Sequence, residues 1–459
     1  MAFFGSFSGE TSVWRVSAPR CSFPFKHQRN SLSFPHPISR RAVSVVRSTH
    51  NYDVVVIGAG IIGLTIAREI LTHSDLSVAV VDRALPCAGA TGAGQGYIWM
   101  VHKSPDKATW NLSLRSRALW ESFADDVRFQ GLDPLRELGW KKTGSMLIGR
   151  NEREINELKS KVKTLNASGL NAEFLDTQQL REAEPDLNAS EDFAAAFLPD
   201  DCQLDAQATV SYILKSNRSF GSIGRYGEFF NDPVMKLERS GSGEVMAVST
   251  SKNTLNLKRA VVMATGCWTG RLMRELFSDA VDVPVQPRKG HLLVVENSFP
   301  LTLRHGLMEV GYAGHETTCP NDDAEMVSVS MTATMDCNGN VLLGSSRQFG
   351  GFDTCVEGSI VRRIWSRARE FFPKLGEYDL MKGNVRVGLR PYMYGGKPVI
   401  GRVPSSGNAF VAAGHEGEGL CLALGTAELI LSMLLHSSDK PDTTLFAFPD
   451  SFSLQNNTY

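Results

Sequence analysis

A net charge of -1 over 459 residues leaves no electrostatic case for nucleic acid, whose binders carry a basic face or stripe. C-x-x-C and His-x-His spacings are missing, and the eight cysteines are widely scattered. Neither a zinc site nor a disulfide framework is expected. No run reaches the roughly 20 apolar residues of a membrane-spanning helix. The best candidate, "VVVIGAGIIGLTIA", is broken by glycines and followed by Arg68, so a transmembrane chain is not expected. Acids are nearly absent from the start: residues 1–47 hold seven Lys or Arg against Glu10 alone, and the first Asp is Asp53. This Ser-rich leader has no continuous apolar core and reads as an organellar transit peptide, for a chloroplast before a mitochondrion, outside the fold.

The remaining chain is long enough for two or three domain-sized units. "NYDVVVIGAGIIGLTIAREILTHSDLSVAVVDR" reads as strand, glycine turn, amphipathic helix and second strand, with G-x-G-x-x-G at Gly58, Gly60 and Gly63. The first glycine permits the turn, the second lets backbone approach a pyrophosphate, and the third lets helix pack on strand. Ala59, Ile61 and Ile62 fill the turn between them. Asp82 closes the second strand, where a carboxylate can accept hydrogen bonds from a ribose. "PCAGATGAGQGYIWMV" (86–101) follows as a small-residue run placed to wrap phosphates, and a β-meander later ends in the Ala264-Thr265-Gly266 turn. Two distant segments thus return to one dinucleotide site.

These motifs, with "NVRVGLRPYMYGGKPVIGRVP" and "NAFVAAGHEGEGLCLALGTAELI", carry a resemblance. From about Tyr52 to His436 the chain resembles the D-amino-acid oxidase-like FAD oxidoreductases. The pattern "GNVLLGSSRQFGGFD" with "GLRPY" and "GHEGEG" looks closest to the proline, hydroxyproline and opine dehydrogenase-like branch. The resemblance implies an α/β fold of the glutathione-reductase type: a Rossmann-like FAD-binding domain interleaved with a mostly antiparallel substrate domain. Residues 52–140, 198–284 and 385–436 would form the first, 141–197 and 285–384 the second, and 437–459 a loosely packed tail. Gly58, Gly60 and Gly63 would hold the FAD pyrophosphate, and Asp82 with Arg83 the adenosine ribose. Thr91 and Gly92 would line the ribityl chain, Val234 would contact adenine, and Thr265 and Gly266 would form the second phosphate-side turn. Gly414, Gly417, Gly419 and Leu420 would approach the flavin. Arg390 would hold the substrate carboxylate, which suits the planar fork of a guanidinium.

Departures from the family narrow this. Gly417 stands between Glu416 and Glu418 where glycine oxidase-like members carry an arginine, and Tyr392 follows Pro391 where sarcosine oxidase-like members carry a flavin-linking cysteine. FAD is therefore expected to be held noncovalently. Glu416, more than Glu418, is expected to face inward and favour a cationic iminium. His415 is read equally as proton relay or packing residue, and Tyr392, before Tyr394, as lining the pocket. Arg347 is a second candidate carboxylate partner. Arg288, Lys289 and His291 read as a solvated basic strand, one of which can touch flavin or substrate. The acidic loop at 319–326 reads as a solvated turn.

The expected function is oxidation of the C–N bond of a small amino acid, imino acid or N-substituted glycine, by hydride transfer from Cα–H to FAD. Two alternatives stand beside it: a 2-hydroxy-acid dehydrogenase and a flavin-bound assembly factor. Oxygen or another carrier would take the electrons, and self-association is left open.

Overall fold

A computed structural model describes residues 47–277, 282–314, 327–404, 406–435 and 444–448. Residues 1–46 of the leader, the acidic loop at 319–326 and most of the tail lie outside these. The run "DVVVIG" forms the end of strand Ser48–Ile57, in which Val54, Val55 and Val56 are fully buried. An uninterrupted apolar run suits a parallel strand covered on both faces. This strand lies between Val78–Val81 and Asn253–Met263, parallel to both. Tyr226–Phe229 extends the parallel sheet on one side and Ala409–Ala413 on the other, with Val399–Arg402 antiparallel at the edge. Val234–Arg239 and Val245–Thr250 join Asn253–Met263 as the expected meander.

Four helices cover one face of this sheet and share a single apolar core: Ile61–His73, Trp110–Phe129, Ala206–Arg218 and Gly419–Leu435. The continuous helical stretch Glu416–Leu435 is long and apolar enough to cross a membrane, a longer stretch than the one singled out from sequence. Its setting is that of a core helix, with 67% of its apolar window buried. Trp120 Nε1 donates to Leu420 O at 2.9 Å, Ser116 Oγ donates to Cys421 O at 2.6 Å, and Gly425 N donates to Ser116 Oγ at 3.1 Å. These bonds fix the first turns of Gly419–Leu435 against Trp110–Phe129.

The second sheet also has eight strands, in the order Asn384–Tyr392, Gln286–Val295, Val341–Arg347, Ser328–Met335, Gly306–Glu309, Ser145–Gly149, Ala194–Leu198 and Glu173–Leu175. Its ladders are antiparallel except between Gly306–Glu309 and Ser145–Gly149. Helix Gly358–Phe371 covers one face, burying Ile360, Val361, Ile364, Trp365, Ala368 and Phe371 at helical spacing. Strand Asn384–Tyr392, grouped above with the nucleotide segments, is the edge strand of this second sheet. It pairs with Gln286–Val295 over nine residues, so Arg390 belongs structurally to the second sheet.

A side chain at Gly425 has no room. Its Cβ would stand 2.8 Å from Leu112 Cδ1 and 3.1 Å from Ser116 Cβ. Gly425→Val is expected to lower unfolding stability by about 1–3 kcal/mol, measured as a shift in urea midpoint against wild type.

Candidate active site

A cavity of about 440 Å³ runs from the glycine turn of the first sheet to the inner face of the second. That volume lies within the range of small-molecule and cofactor sites. At the first-sheet end, Gly58 has φ 118°, and a Cβ there would stand 2.3 Å from Ala264 O. Only glycine adopts this backbone without strain. Gly60 caps Ile61–His73, which has neither a side-chain cap nor an acidic residue in its first turn. The helix dipole is left for an anion. Asp82 Oδ2 accepts from Ala59 N at 2.7 Å and Oδ1 from Ala84 N at 2.8 Å, which clamps the turn to the end of the second strand. Burial raises the pKa of this carboxyl, only partly offset by the two N–H groups and Arg83. Thr91 Oγ1 accepts from Ile61 N at 3.1 Å and seats the small-residue run on the helix start.

The cavity wall includes Gly58, Ala59, Gly60, Ile61, Ile62, Asp82, Arg83, Thr91, Val234, Thr265 and Gly266 at this end, and Arg390, His415, Glu416, Gly417, Gly419 and Leu420 at the other. Gly63, Gly92 and Gly414 lie at close backbone or side-chain approaches, for Gly63 the helix-on-strand packing expected of it. A Cβ on Gly63 would stand 2.0 Å from Gly58 O, on Gly92 2.4 Å from Cys87 O, and on Gly414 2.3 Å from Met393 Cγ. Tyr392 stands off the wall, with its ring 5.2 Å from that of Phe349 and the Arg288 guanidinium 5.1 Å from its centroid. Tyr394 is exposed. Sequence reasoning missed Trp268, whose ring carries the Arg83 guanidinium at 4.1 Å. It also missed Tyr97 and Tyr312, wall residues whose hydroxyls meet at 3.2 Å. Tyr97 sits inside the quoted run 86–101 and Trp268 two residues past the Ala264-Thr265-Gly266 turn, whereas Tyr312 is brought in by the topology of the second sheet.

At the second-sheet end the expectation of a solvated basic strand is overturned: Arg288, Lys289 and His291 are all buried. Their strand is interior to the sheet, and carboxylates accompany its charges. Lys289 Nζ donates to Asp353 Oδ2 at 2.6 Å and Glu357 Oε1 at 2.7 Å. Arg288 Nη1 donates to Glu416 Oε1 at 3.2 Å. Arg390 Nη1 donates to Ser346 O, and Arg347 Nη1 to Tyr312 O, both at 3.0 Å. Burial pushes the Glu416 pKa up, but Arg390, Arg347 and Arg288 outweigh it and hold the carboxyl below its usual range. Glu416 thus faces the cavity ionised. One oxygen is engaged by Arg288 and the other accepts from Gly417 N, so its charge is directed first at arginine. Glu418 turns elsewhere, to His102 Nε2 at 2.9 Å and to Lys103 Nζ.

Residues 53–433 match the family model described as FAD dependent oxidoreductase. The chain belongs to the FAD-dependent oxidoreductase (DAO) family. It is 26% identical to a glycine oxidase of Geobacillus kaustophilus over 84% of this chain and 93% of that one. It is 24% identical to a D-amino acid dehydrogenase of Vibrio cholerae over 86% and 99%. The solved glycine oxidase of Geobacillus kaustophilus superposes with a TM-score of 0.74 at 23% identity, over 87% of this chain and 99% of that one. An L-proline dehydrogenase from P. horikoshii superposes with a TM-score of 0.71 at 20% identity, over 86% and 96%. The expected fold class, with FAD as cofactor and an oxidoreductase activity, is borne out. The residues fit that cofactor: a turn only glycine can make, a helix start with no acidic residue in its first turn, a carboxylate clamping the turn to the second strand and a cavity joining both sheets.

Gly58→Ala is expected to lower FAD occupancy of the purified protein at least tenfold, read from the ratio of flavin to protein absorbance. A pH dependence follows from His415, which is 3% exposed, meets Thr426 Oγ1 at 3.0 Å and has its pKa lowered by burial from 6.5 to about 4. The folded chain favours the neutral ring, so between these values the unfolded chain binds the extra proton. Stability is therefore unaffected above about pH 7 and falls as pH drops toward 4, by about 3 kcal/mol from this group. Urea midpoints across that range, wild type against His415→Gln, should show a smaller drop in the variant.

Proposed function

We propose that the protein oxidises the C–N bond of a small amino or imino acid, and that Arg390 holds the substrate carboxylate. The observation carrying this reading is Arg390 itself: a guanidinium on the cavity wall, set by strand pairing at the end remote from the glycine turn. The amino-acid substrates named for the similar glycine oxidase and D-amino acid dehydrogenase support it. FAD, when bound, supplies the two-electron acceptor for hydride leaving Cα. The chain's own task is to place that carbon. Arg390 fixes the carboxylate, and Leu292 and Leu389 give the wall apolar surface that excludes water. The first turn of Gly419–Leu435 brings a helix N-terminus to the wall, where its dipole favours negative charge. His415, neutral and bonded to Thr426, acts as a packing residue in this reading. No cysteine occupies the position after Pro391, which supports noncovalent FAD. The basic, Ser-rich leader supports a chloroplast address, and the electron acceptor is oxygen or another carrier.

Anaerobic mixing with D-, L- and N-methyl amino acids, prolines and 2-hydroxy acids should bleach the flavin with an amino or imino acid. Bleaching by hydroxy acids alone, or by none, would overturn the proposal. Arg390→Ala should lose about 2–5 kcal/mol of substrate binding, seen as a rise in the concentration needed for half-maximal bleaching rate, with Arg390→Lys between.

A further inference from the structure

Hydride leaves Cα readily only when the substrate nitrogen can donate its lone pair, and an amino acid in neutral water carries that nitrogen as an ammonium. A proton must therefore be taken up at the Arg390 end of the cavity. Most of the ionisable side chains described on that part of the wall are unsuited to take it. Arg390 is a cation with no acceptor. His291 accepts from Glu357 N through Nε2 at 3.1 Å and meets Ser346 Oγ through Nδ1 at 3.1 Å, so both ring nitrogens are committed. His415 is bonded to Thr426, and burial lowers its pKa to about 4. Glu416 is engaged by Arg288 and Gly417 N, and the arginines hold it ionised.

There remain Tyr97 and Tyr312, wall residues whose hydroxyl oxygens stand 3.2 Å apart. Each ring is fixed by its neighbours. Tyr97 stacks on the buried Trp99 with centroids 4.8 Å apart. The Arg347 guanidinium stands 3.8 Å from the Tyr312 centroid, and its Nη1 donates to Tyr312 O at 3.0 Å. A Cβ on Gly417 would stand 3.8 Å from both Tyr97 Oη and Arg390 Nε, so hydroxyl and guanidinium flank one bare stretch of the turn. An α-amino acid bridges such a gap, because its nitrogen and carboxylate share one carbon and each end adds a hydrogen bond of about 2.9 Å.

The surrounding charges decide which hydroxyl ionises. Arg347 and Arg390 face Tyr312, opposed by Glu416; Glu418 and Arg390 face Tyr97, with the His102 ring 6.0 Å away. Glu418 is matched by Lys103, and Glu309, on the strand before Tyr312, by Arg367. Burial pushes the Tyr312 pKa up, but Arg347 and Arg390 outweigh it and bring it below 10.0. Burial, Tyr312 and Glu418 push that of Tyr97 well above. Tyr312 thus loses its proton first, and Tyr97 donates to the phenolate.

The geometry points to this hydroxyl pair as the acceptor of the proton that the substrate nitrogen gives up before hydride leaves Cα. An N–H bond breaks, its proton goes to Tyr97 Oη, and the Tyr97 proton passes to Tyr312 Oη, so both hydroxyls end neutral. The electron pair stays on nitrogen and drives hydride from Cα to FAD. This role rests on the oxidation proposed above, with Arg390 holding the carboxylate.

The test uses the full-length, FAD-loaded protein. Tyrosinate absorbance against pH, without substrate, should show one tyrosine titrating at least one unit below 10.0, lost in Tyr312→Phe and shifted upward in Tyr97→Phe. Both variants keep their rings, and Tyr312→Phe keeps the stack on Arg347. The limiting rate of anaerobic bleaching, by the fastest amino or imino acid of the screen above, should rise with pH as the pair loses its proton. Either variant should lower that rate at neutral pH at least tenfold, while the half-saturating concentration changes less than threefold because Arg390 is intact. Bleaching with the wild-type pH profile in both variants, or no tyrosine titrating below 10.0, overturns the proton acceptor and keeps the oxidation. No bleaching by any acid of the screen, beside a low-titrating Tyr312, overturns the oxidation and the pair's part in it, and keeps the ionised pair.

Discussion

Two glutamates in the turn before helix Gly419–Leu435 tie the halves of the protein together. Glu416 reaches Arg288 in the second sheet, and Glu418 reaches His102 and Lys103 in the segment that follows the small-residue run. The turn follows strand Ala409–Ala413 of the first sheet directly, so the Arg288 contact fixes its distance from the second sheet. Such partly buried ion pairs contribute little net stability when whole, because desolvation offsets attraction, and cost several kcal/mol when one partner is removed. Their value is positional. Without them the turn would keep only His415, which is tied to Thr426 in the helix that follows, and nothing to reach the second sheet or the His102–Lys103 segment.

That explains acids at a helix N-terminus that could otherwise serve an anion. The cavity has two ends with different electrostatic needs. Asp82 takes the Ala59 N–H of the first glycine turn, but the first turn of Ile61–His73 holds no acid and leaves the helix dipole to an anion from outside the chain. At Glu416–Gly419 Arg390 lines the wall with Arg288 and Arg347 behind it, and a built-in carboxylate lowers their mutual repulsion. The conformation has a local cost, since Glu416 sits at φ 45°, a region non-glycine residues seldom occupy. Its ion pair and its bond from Gly417 N are what hold it there.

The nucleotide half was legible in the sequence because its chemistry is local. Strand, turn, helix and Asp82 fall within thirty-odd residues, and each glycine has a steric reason visible in the spacing. Gly63 packs as its spacing implied, whereas at Gly92 and Gly414 a required glycine marks close approach without saying what approaches. For these two it is Cys87 and Met393. The substrate half was legible only at Arg390. A basic strand such as "QPRKGHLLV" reads the same whether it is an edge in water or an interior strand whose charges meet carboxylates more than 60 residues away. Only the pairing of Gln286–Val295 with Asn384–Tyr392 decides that. Tyr312 follows the short strand Gly306–Glu309 and has no local pattern to announce it.

The same pairing shows what fixes the chemistry. Along these strands odd positions such as Leu293, Val295 and Val385 enter the core beneath helix Gly358–Phe371, while even positions such as Leu292, Gly388 and Arg390 face the cavity. A slip of one residue would exchange the two sets, burying Arg288 and Arg390 under the helix and turning Leu293 into the cavity. The apolar core on the far side of the sheet therefore sets which charge faces the cavity. Arg390 is held in place less by its bond to Ser346 O than by the burial of Val385, Leu293 and their neighbours, which forbids any other register.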